Sequence, residues 1–357
     1  MSSATEQFVG TKQVPDALQF DQARVGDYLQ AHVEGFRGPF TVTQFRGGQS
    51  NPTYLIDAAS GRYVMRRKPP GQLLPSAHAV DREYRVIKAL HEAGFPVPRA
   101  YCLCEDDSLA GTIFYVMGYV EGRVIWDGSM PGETPANRRA MFESWGDTLA
   151  DLHNLDYVAL GLEDFGRPGN YFARQISRWS KQFKASQTQN AEKMDRLIEW
   201  LPEHIPQEDS VSLVHGDLSL HNVMFHPTEP RVVAVLDWEI STIGHPLADL
   251  TYNMLAWYAP STPGAIASLL DLDLGALGIP TMDAYLKRYC ERTGRAAVEG
   301  MDYYCAYNLF RIAAILQGIV GRVRDGTASN ENAEAMAAHV LPLSELAWEY
   351  ALKAGAS

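Results

Sequence analysis

The spacing of hydrophobic residues along the chain changes after about residue 120. Before that point, short runs rich in β-branched and aromatic residues alternate with polar, glycine-bearing turns, which is typical of strands. These runs predict strands over 40–45, 53–57, 63–66 and 112–120. Apolar residues at helical spacing predict helices over 21–35 and 79–93. The first part of the chain therefore predicts a small antiparallel sheet with a helix, preceded by a short helical extension.

The second part is predicted to be mainly helical. From residue 138 onward the apolar residues recur at intervals of three and four and form stripes. These stripes are Phe142, Trp145, Leu149 and Leu152; Ile176, Trp179 and Phe183; and Met194, Leu197, Ile198 and Leu201. Further helices are predicted over 246–258, 300–325 and 330–352. The expected fold class is α+β, with an extension over 1–35, a sheet lobe over 36–120 and a helical lobe over 121–357.

One hairpin interrupts the helical part and carries the residues with the clearest chemistry. Residues 223–225 and 232–236 are predicted to be two buried strands joined by a polar turn. In an antiparallel pair, Asn222 entering the first strand faces Asp237 leaving the second. An amide oxygen and a carboxylate at one sheet end suit Mg²⁺, which takes few protein ligands and keeps waters and phosphates. Asp217, on the preceding loop, is then placed to accept a proton from a hydroxyl nucleophile.

Each part of this motif also has an ordinary interpretation. His215-Gly216-Asp217 alone is typical of a turn in which glycine supplies an unusual backbone angle and aspartate caps a helix. A single aspartate after a strand is also common. Their spacing on one hairpin favours a metal-nucleotide site over two unrelated turns.

A second candidate group combines a strand cation with a helix carboxylate. Glu83 lies on or beside the apolar stripe of the helix predicted over 79–93. A charge there needs a partner, because burying it unpaired is costly. Arg66, near the end of the third predicted strand, is the natural candidate, and such a pair can orient a cation towards the phosphates of a nucleotide. The alternative is a pair of exposed side chains on the surface.

Two further segments are candidates for nucleotide contacts. The turn over 46–51 carries Gly48, Gln49, Ser50 and Asn51, whose backbone N–H groups and side chains suit phosphates. It is neither a Walker A loop nor a dinucleotide fingerprint, and taken alone it is more often an ordinary hairpin turn. The strand predicted over 112–120 ends where a linker between lobes would lie. Backbone groups of Gly118, Tyr119 and Val120 could bind an adenine there, with Met117 lining the pocket.

Composition narrows the classes of function. The chain has 357 residues, 46% hydrophobic and 21% charged, with a formal net charge of −12. These values are ordinary for a globular enzyme, and the negative charge argues against nucleic acid as a partner. The polar start of the chain and the lack of a long apolar run predict a cytoplasmic protein without membrane attachment. Four scattered cysteines predict packing in a reducing compartment and not a disulfide framework.

The positive charge that the chain does carry is locally concentrated. The residues concerned are Arg46, Arg62, Arg66, Arg67, Lys68 and Arg82. They are either a solvated strand end or a local trap for a nucleotide or a second phosphate-bearing substrate.

Together these features resemble the aminoglycoside phosphotransferase-like kinases, a branch of the protein-kinase-like fold. The resemblance is carried by residues 48–54, 63–71, 82–84, 215–222, 236–239 and 244–250. It is strongest with the kinase-like domain that is fused to acyl-CoA dehydrogenases in some animal proteins and free-standing in many bacteria. The resemblance implies a two-lobed fold that uses ATP or GTP with Mg²⁺.

The resemblance also implies a role for each candidate residue. Asp217 is the expected catalytic base, and Asn222 and Asp237 are the expected ligands of Mg²⁺. Arg66 and Glu83 are the expected phosphate-orienting pair, although many relatives have lysine where this chain has Arg66. Asp249 is expected to brace the loop that carries Asp217.

The acceptor is expected to be a small molecule with a hydroxyl group. For the branch linked to acyl-CoA dehydrogenases, the resemblance suggests a hydroxylated acyl-CoA. Two other functions stay open: a nucleotide-binding pseudokinase or accessory module of an acyl-CoA enzyme, and an aminoglycoside-type antibiotic kinase. The sequence predicts neither the oligomeric state nor the choice between ATP and GTP.

Overall fold

The structure is a computed structural model, and it describes residues 10–46, 51–71, 78–262, 266–325 and 333–357. The chain divides into two units. Unit 1 comprises Met1–Arg123, Leu160–Leu162 and Met224–Ile240, and unit 2 comprises Val124–Ala159, Glu163–Val223 and Ser241–Ser357.

Unit 1 is built on a six-stranded sheet. The strands are β1 (Thr11–Lys12), β2 (Phe40–Phe45), β3 (Thr53–Ala58), β4 (Gly61–Arg67), β5 (Ala100–Cys104) and β6 (Phe114–Gly118). Their order in the sheet is β1-β2-β3-β4-β6-β5. All neighbouring pairs are antiparallel. Arg66 pairs with Thr53 on one side and with Tyr115 on the other, so it lies on an interior strand.

The helices of unit 1 pack their apolar residues into the same unit. They are the short 3₁₀ helix Asp16–Leu18 and the α-helices Gln22–His32, Val80–Glu92 and Asp107–Ala110. Asp21 caps the helix Gln22–His32, because its carboxylate accepts the N–H groups of Ala23 and Arg24 at 3.0 and 3.1 Å. Val25 and Leu29 of this helix are buried in one core with Tyr54 and Phe114 of the sheet. The segment predicted as an extension over 1–35 is thus part of the sheet unit from residue 10 onward.

The predicted hairpin forms and belongs to unit 1. Its strands are β9 (Val223–Phe225) and β10 (Val232–Val235), and with β7 (Arg123–Val124) they form a sheet in the order β10-β9-β7. His226 N–H donates to Arg231 O at 2.8 Å and closes the turn, and Val235 N–H donates to Pro96 O at 2.8 Å. Because such bonds tie the hairpin to unit 1, residues 224–240 group with the sheet and not, as predicted, with the helical lobe over 121–357.

Unit 2 is mainly helical. Its helices are Pro135–Asn154, Tyr171–Ser186, Glu192–Glu203, Pro246–Asn253, Leu255–Tyr258, Leu274–Leu277, Met282–Thr293, Met301–Arg324 and Ala333–Lys353. The strands β8 (Ser212–Val214) and β11 (Thr242–Gly244) form a small antiparallel sheet. The helix Met301–Arg324 is buried around most of its circumference. Helices that precede it in the chain and the helix Ala333–Lys353 that follows it all pack against it.

The predicted stripes of unit 2 face its core, since Phe142, Trp145, Ile176 and Leu197 are all buried. The helix predicted over 246–258 is interrupted at Met254, where ψ is 1°. The strand predicted over 112–120 is shorter than expected, because pairing with β4 ends where Gly118 meets Tyr63. Within the described ranges, every helix is too short or too polar to serve as a membrane-spanning segment.

Candidate active site

The loop that carries Asp217 connects β8 to a 3₁₀ turn, Leu220–Asn222, that leads into β9. Gly216 has a φ of +85°, a left-handed backbone conformation that residues with a Cβ atom adopt only at a steric cost. Asn222 Nδ2 donates to the backbone oxygen of Asp217 at 2.8 Å, so the amide fixes the loop at its far end. The two residues of the motif therefore sit on one hydrogen-bonded turn of unit 2.

Asp249 braces the start of this loop. Its carboxylate accepts the N–H group of His215 at 2.7 Å and that of Gly216 at 2.8 Å. His153 Nε2 lies 3.3 Å from the same carboxylate, and its Nδ1 lies 2.7 Å from the hydroxyl oxygen of Tyr289. Burial by itself would raise the pKa of Asp249, but the contact with His153 and the N–H group of His215 outweigh it and lower the pKa. The expected loop-bracing role of Asp249 is confirmed by these contacts.

Arg311 is a second brace, which the sequence analysis did not identify. Its guanidinium donates to the backbone oxygen of Gly216 at 2.7 Å and lies 4.7 Å from the ring centroid of Tyr252. Arg311 is 5% exposed. Burial by itself would lower its pKa, but tyrosines 307, 171 and 252 and the Asp217 carboxylate raise it. A basic residue in the middle of the apolar run of the helix Met301–Arg324 was the signal available in the sequence.

The Asp217 side chain is only partly engaged by its surroundings. Its backbone N–H donates to His215 Nδ1 at 3.2 Å. Its Oδ1 is buried and has no hydrogen-bond partner among the described residues. A buried carboxylate oxygen without a partner is costly, so a group from a substrate or a metal ion would stabilise it. Asp217 is thus fixed in its backbone, and its carboxylate, which interacts with the Tyr252 hydroxyl group, keeps Oδ1 without a partner among the described residues, as suits a proton acceptor.

Unit 1 contains the predicted Arg66–Glu83 pair, and the pair is buried. Arg66 Nε lies 2.8 Å from Glu83 Oε2, and the two side chains are 9% and 1% exposed. Arg66 Nη2 also contacts Asp237 Oδ1 at 2.7 Å and Glu239 Oε2 at 3.5 Å. The alternative of an exposed surface pair is therefore wrong. Arg66 thus contacts three carboxylates.

The charges of this group depend on one another. Burial raises the pKa of Glu83, and the Arg66 guanidinium offsets only part of that rise. Burial works in the opposite direction on Arg66, but the carboxylates of Glu83, Asp237 and Glu239 outweigh it and raise the pKa of the guanidinium. Arg66 therefore remains a permanent positive charge in a buried position.

Asp237 has an unusual backbone conformation. It has a φ of +64°, in the left-handed region that aspartate tolerates better than most residues. Asp237 lies two residues after the end of β10, and the ion pair with Arg66 holds its side chain. Backbone strain of this kind is concentrated at functional sites.

The glycine-bearing turn is only partly described. Gly48, Gln49 and Ser50 lie outside the described residues, so their predicted phosphate contacts stay predictions. Asn51 does not fit its predicted role as a phosphate donor. It is 0% exposed, its Nδ2 donates to Glu239 Oε2 at 3.4 Å, and its Oδ1 lies 3.1 Å from His78 Nδ1. Because both ends of its amide have partners inside unit 1, Asn51 steadies the carboxylates around Arg66.

The predicted adenine-binding backbone is partly committed to other bonds. Gly118 N–H donates to Arg99 O at 2.8 Å, and Tyr119 N–H donates to Arg62 O at 3.3 Å. These two donors are unavailable to an adenine unless the bonds break, which corrects that part of the prediction. Carbonyl groups and Val120 remain as candidates. Met117 is 8% exposed, so little of its surface is open to a ligand.

The basic residues that are close together in the sequence differ in exposure in the structure. Arg67 is 3% exposed, and its guanidinium donates to the backbone oxygens of Ala110 and Leu18. Its cation is thus part of the core of unit 1 and cannot attract an anion. Arg62 is exposed and lies 4.1 Å from the ring centroid of Tyr119. The prediction of an anion trap therefore loses Arg67. Arg66 is held by the carboxylates of Glu83 and Asp237, and the exposed cations remain as candidates.

The residues predicted to hold Mg²⁺ belong to different units, with Asn222 in unit 2 and Asp237 in unit 1. Each is suited to the task by itself. Asn222 uses its Nδ2 for Asp217 O, which leaves its Oδ1 for a cation, and Arg66 occupies only one carboxylate oxygen of Asp237. Among the described residues, no group of three or more His, Cys, Asp or Glu side chains is arranged to hold a metal ion. Coordination of one cation by both residues stays a prediction.

The antiparallel sheet of unit 1 and the helices of unit 2 are the elements of a kinase-like fold. The solved structure of choline kinase from Cryptosporidium parvum matches 93% of this chain and 97% of its own length, with a TM-score of 0.64 and 12% identity. A family model described as "Phosphotransferase enzyme family" matches residues 41–286. The chain belongs to this phosphotransferase family.

More similar relatives extend the assignment. A protein from Ralstonia eutropha, described as a "putative aminoglycoside phosphotransferase", is 49% identical, with a TM-score of 0.86 over 94% of this chain and 99% of its own. Acyl-CoA dehydrogenase family member 10 of Mus musculus is 43% identical over 92% of this chain and 31% of its own length. Acyl-CoA dehydrogenase family member 11 of Rattus norvegicus is 43% identical over 94% of this chain and 44% of its own. The chain thus spans less than half the length of these two curated relatives.

Proposed function

We propose that the protein is a Mg²⁺- and ATP-dependent O-phosphotransferase that phosphorylates the hydroxyl group of a small molecule. The observation that carries this proposal is the Asp217 carboxylate, whose Oδ1 is buried and has no hydrogen-bond partner in the described part of the chain, while Asp249 and Arg311 brace its loop. Such a group is held in place and is still free to accept a proton. Membership of the phosphotransferase family gives the reaction class.

In the proposed reaction the acceptor hydroxyl group donates its proton to Asp217. The hydroxyl oxygen forms a bond to the γ-phosphorus, the bond from that phosphorus to the bridging oxygen breaks, and ADP leaves with the electron pair. Positioning and neutralisation of charge supply most of the catalysis in such transfers. Arg66 would contribute a fixed positive charge towards the phosphates, held by Glu83.

Asn222 and Asp237 would hold the magnesium ion, with waters and phosphate oxygens completing its coordination. When bound, the ion would neutralise charge on the phosphate oxygens. We name ATP and not GTP as the phosphate donor because ATP is the commoner nucleotide. Met117, Gly118, Tyr119 and Val120 are proposed to contact the nucleotide. The N–H groups of Gly118 and Tyr119 are left out of this proposal, because they already donate to backbone oxygens.

For the acceptor we propose a hydroxyacyl-CoA. Support comes from the relatives named acyl-CoA dehydrogenase family members, which match this chain over 92% and 94% of its length. A kinase-like domain in the same chain as an enzyme named for acyl-CoA would encounter acyl-CoA thioesters as possible substrates. The exposed cations, Arg62 among them, could contact the phosphates of the CoA moiety.

The base assignment is tested with Asp217→Asn, which keeps the shape of the side chain and removes its capacity to take a proton. We expect turnover to fall by about 10²–10⁴-fold, the usual contribution of a general base. Thermal stabilisation by Mg²⁺-ATP should persist. Asp271→Asn, at an exposed position of the same unit, is the control. Turnover that is unchanged in Asp217→Asn would refute the assignment.

The metal assignment is tested with Asp237→Ala. Its control is Glu239→Gln, because Glu239 also contacts Arg66 but is not a proposed ligand. A ligand at a hundred times its Kd stabilises a protein by about 2.7 kcal/mol, and this gain should vanish in Asp237→Ala and persist in Glu239→Gln. Loss in both variants would mean that the Arg66 group, and not the metal, is responsible.

A second candidate function is an accessory module without transfer activity. It is favoured by one observation, that the curated relatives extend far beyond this domain and are named for a dehydrogenase. Long incubation with labelled ATP and a pool of hydroxyl compounds separates the two, because only a transferase forms product. An antibiotic-protection assay tests the aminoglycoside alternative, which the name of the Ralstonia eutropha relative raises.

A further inference from the structure

Unit 2 has a small pocket that begins where the Asp217 loop ends. Ser219, Leu220 and His221, which follow Asp217 closely in the chain, form one wall, and Tyr252 forms part of another. Burial and the nearby Asp217 carboxylate both raise the pKa of the Tyr252 hydroxyl group. Tyr252 therefore links the pocket to the carboxylate that is proposed to accept the proton.

The pocket has an open rim and a closed, apolar end. At the rim Trp126 and His221 are half-buried, and their rings are stacked with centroids 5.6 Å apart and planes 5° apart. Trp145, Leu255 and Ile266 line the inner part and are 1%, 4% and 6% exposed. A ligand would pass two aromatic rings and reach a mainly apolar wall, in which the indole N–H group of Trp145 is a polar group without a hydrogen-bond partner among the described residues.

Polar recognition inside the pocket is limited. The lining, which consists of described residues, contains no Asp, Glu, Lys or Arg side chain. Asn253 is present, but its Nδ2 donates to Leu218 O at 2.8 Å and its Oδ1 accepts the Tyr285 hydroxyl group at 2.6 Å. A cationic ligand would lose its hydration without gaining a carboxylate partner, whereas a hydrocarbon group loses nothing.

The pocket is also small. Its volume is about 30 Å³. By this measure one water molecule needs roughly 10–15 Å³, so about two or three water-sized or methylene-sized groups fit without movement of the walls. A longer chain would have to displace Trp145, Leu255 or Ile266, which are packed in the core of unit 2.

We propose that this pocket binds the short hydrocarbon end of the acceptor, beyond its hydroxyl group, and thereby sets the chain length of the substrate. The proposal rests on the proposed phosphotransferase function, because it assigns the pocket to the acceptor of that reaction. The hydroxyl group is assigned to the wall formed by residues 219–221, which follows Asp217 in the chain, and the carbons on its far side enter the pocket. Acceptors with a charged or bulky group at that end are excluded.

Binding is tested first without any phosphoryl transfer. The n-alkanols from ethanol to octanol are titrated into the full chain, and binding is followed by tryptophan fluorescence, since Trp126 and Trp145 line the pocket. We expect affinity to rise about fourfold per methylene group over the first few carbons, from about 0.8 kcal/mol per buried CH₂, and then to level off. Ala256→Leu, which fills the pocket, should abolish the response. An equal response in that variant, or none in the wild type, overturns the proposal.

Turnover then tests the length limit. Hydroxyacyl-CoA compounds with the hydroxyl group at a fixed distance from the thioester, and with tails of increasing length, are compared by kcat/KM. Leu255→Ala should move the optimum to tails longer by about the size of the side chain removed, roughly two or three carbons. Leu343→Ala, a buried leucine of the helix Ala333–Lys353 that does not line the pocket, is the control and should leave the optimum in place.

The two experiments separate the two proposals. Saturable alkanol binding with no phosphoryl transfer to any acceptor refutes the proposed function and, with it, the assignment of the pocket to an acceptor. Transfer with no optimum in tail length, or an optimum that Leu255→Ala does not move, refutes the pocket proposal alone. An optimum that Leu255→Ala lengthens and Leu343→Ala leaves unchanged supports both.

Discussion

Removal of Arg66 is expected to destabilise the protein far more than removal of Glu83, although the two form the same ion pair. Glu83→Gln leaves Arg66 with Asp237 at 2.7 Å and Glu239 at 3.5 Å. Arg66→Met leaves Glu83, which is 1% exposed, without its cation. Loss of one partner from a buried pair costs about 3–5 kcal/mol, because a buried charge is left uncompensated. We expect this full value for Arg66→Met and about 1–3 kcal/mol for Glu83→Gln.

The same change should strengthen the pH dependence of stability that Glu83 contributes, because the pKa of Glu83 is already raised in the wild type. In Arg66→Met the guanidinium no longer lowers the pKa of Glu83, so burial raises that pKa in the folded state well above its value of about 4.3 in the unfolded chain. A carboxyl group with a raised folded pKa favours the folded state when protonated, and this contribution is lost as the pH rises between the two values. The deficit of the variant should therefore be smaller near pH 5 than near pH 8, by up to about 1.4 kcal/mol per pH unit in that window.

Urea denaturation at several pH values measures both effects as changes in the free energy of unfolding. Arg99→Met is the matched control, because its ion pair with Glu34 has side chains that are 51% and 79% exposed. Exposed pairs contribute about 0–1 kcal/mol, so this variant should differ little from the wild type. Equal losses for Arg66→Met and Glu83→Gln, or a deficit of Arg66→Met that does not change with pH, would refute the reasoning.

Three further predictions concern the loop that carries Asp217. Gly216→Ala should cost about 1–2 kcal/mol in urea denaturation, because its φ of +85° is unfavourable for alanine; an unchanged midpoint would contradict this. Arg311→Met should lower kcat while the KM for ATP stays nearly constant, since the residue braces Gly216 O at 2.7 Å and is not assigned a nucleotide contact; a rise in KM alone would argue against it. Asp249→Asn should be destabilising at neutral pH. Because the folded pKa of Asp249 is lowered, its contribution is present above an unfolded pKa of about 3.9 and is lost as the pH falls further. Acid titration of both proteins should therefore show the difference narrowing below about pH 4.

Helix and strand predictions succeeded where the sequence carried a clear period. The strand over 40–45 agrees with Phe40–Phe45, and the helix over 79–93 corresponds to Val80–Glu92. Short elements without a period escaped prediction. Ser212–Val214 and Thr242–Gly244 are three-residue strands that exist because they pair with each other. Such pairing is a long-range contact, and local spacing does not report it.

The candidate site residues were likewise predictable where local spacing decided their position and not where partners distant in the chain did. The buried pair of Arg66 and Glu83 was predictable, because a carboxylate on an apolar helix stripe requires a cation. The partners of Asn51 were not, since Glu239 is far away in the sequence. Arg67 adjoins Arg66 and has the same chemistry, but alternate side chains of a strand point to opposite faces. Arg67 therefore enters the core of unit 1, while Arg66 meets the carboxylates.

What the sequence determined by itself was the chemistry: an acid, an amide and a second acid around one hairpin, with a cation and a carboxylate upstream. These groups could be identified because their spacing within single elements fixes where they lie on a turn, strand or helix. Only the tertiary structure decided how each group is held. It brought Asp249 and Arg311 to the loop of Asp217, used the amide of Asn51 for internal contacts, and closed an apolar pocket beside the loop. Those outcomes depend on packing between elements distant in the chain, which local spacing does not encode.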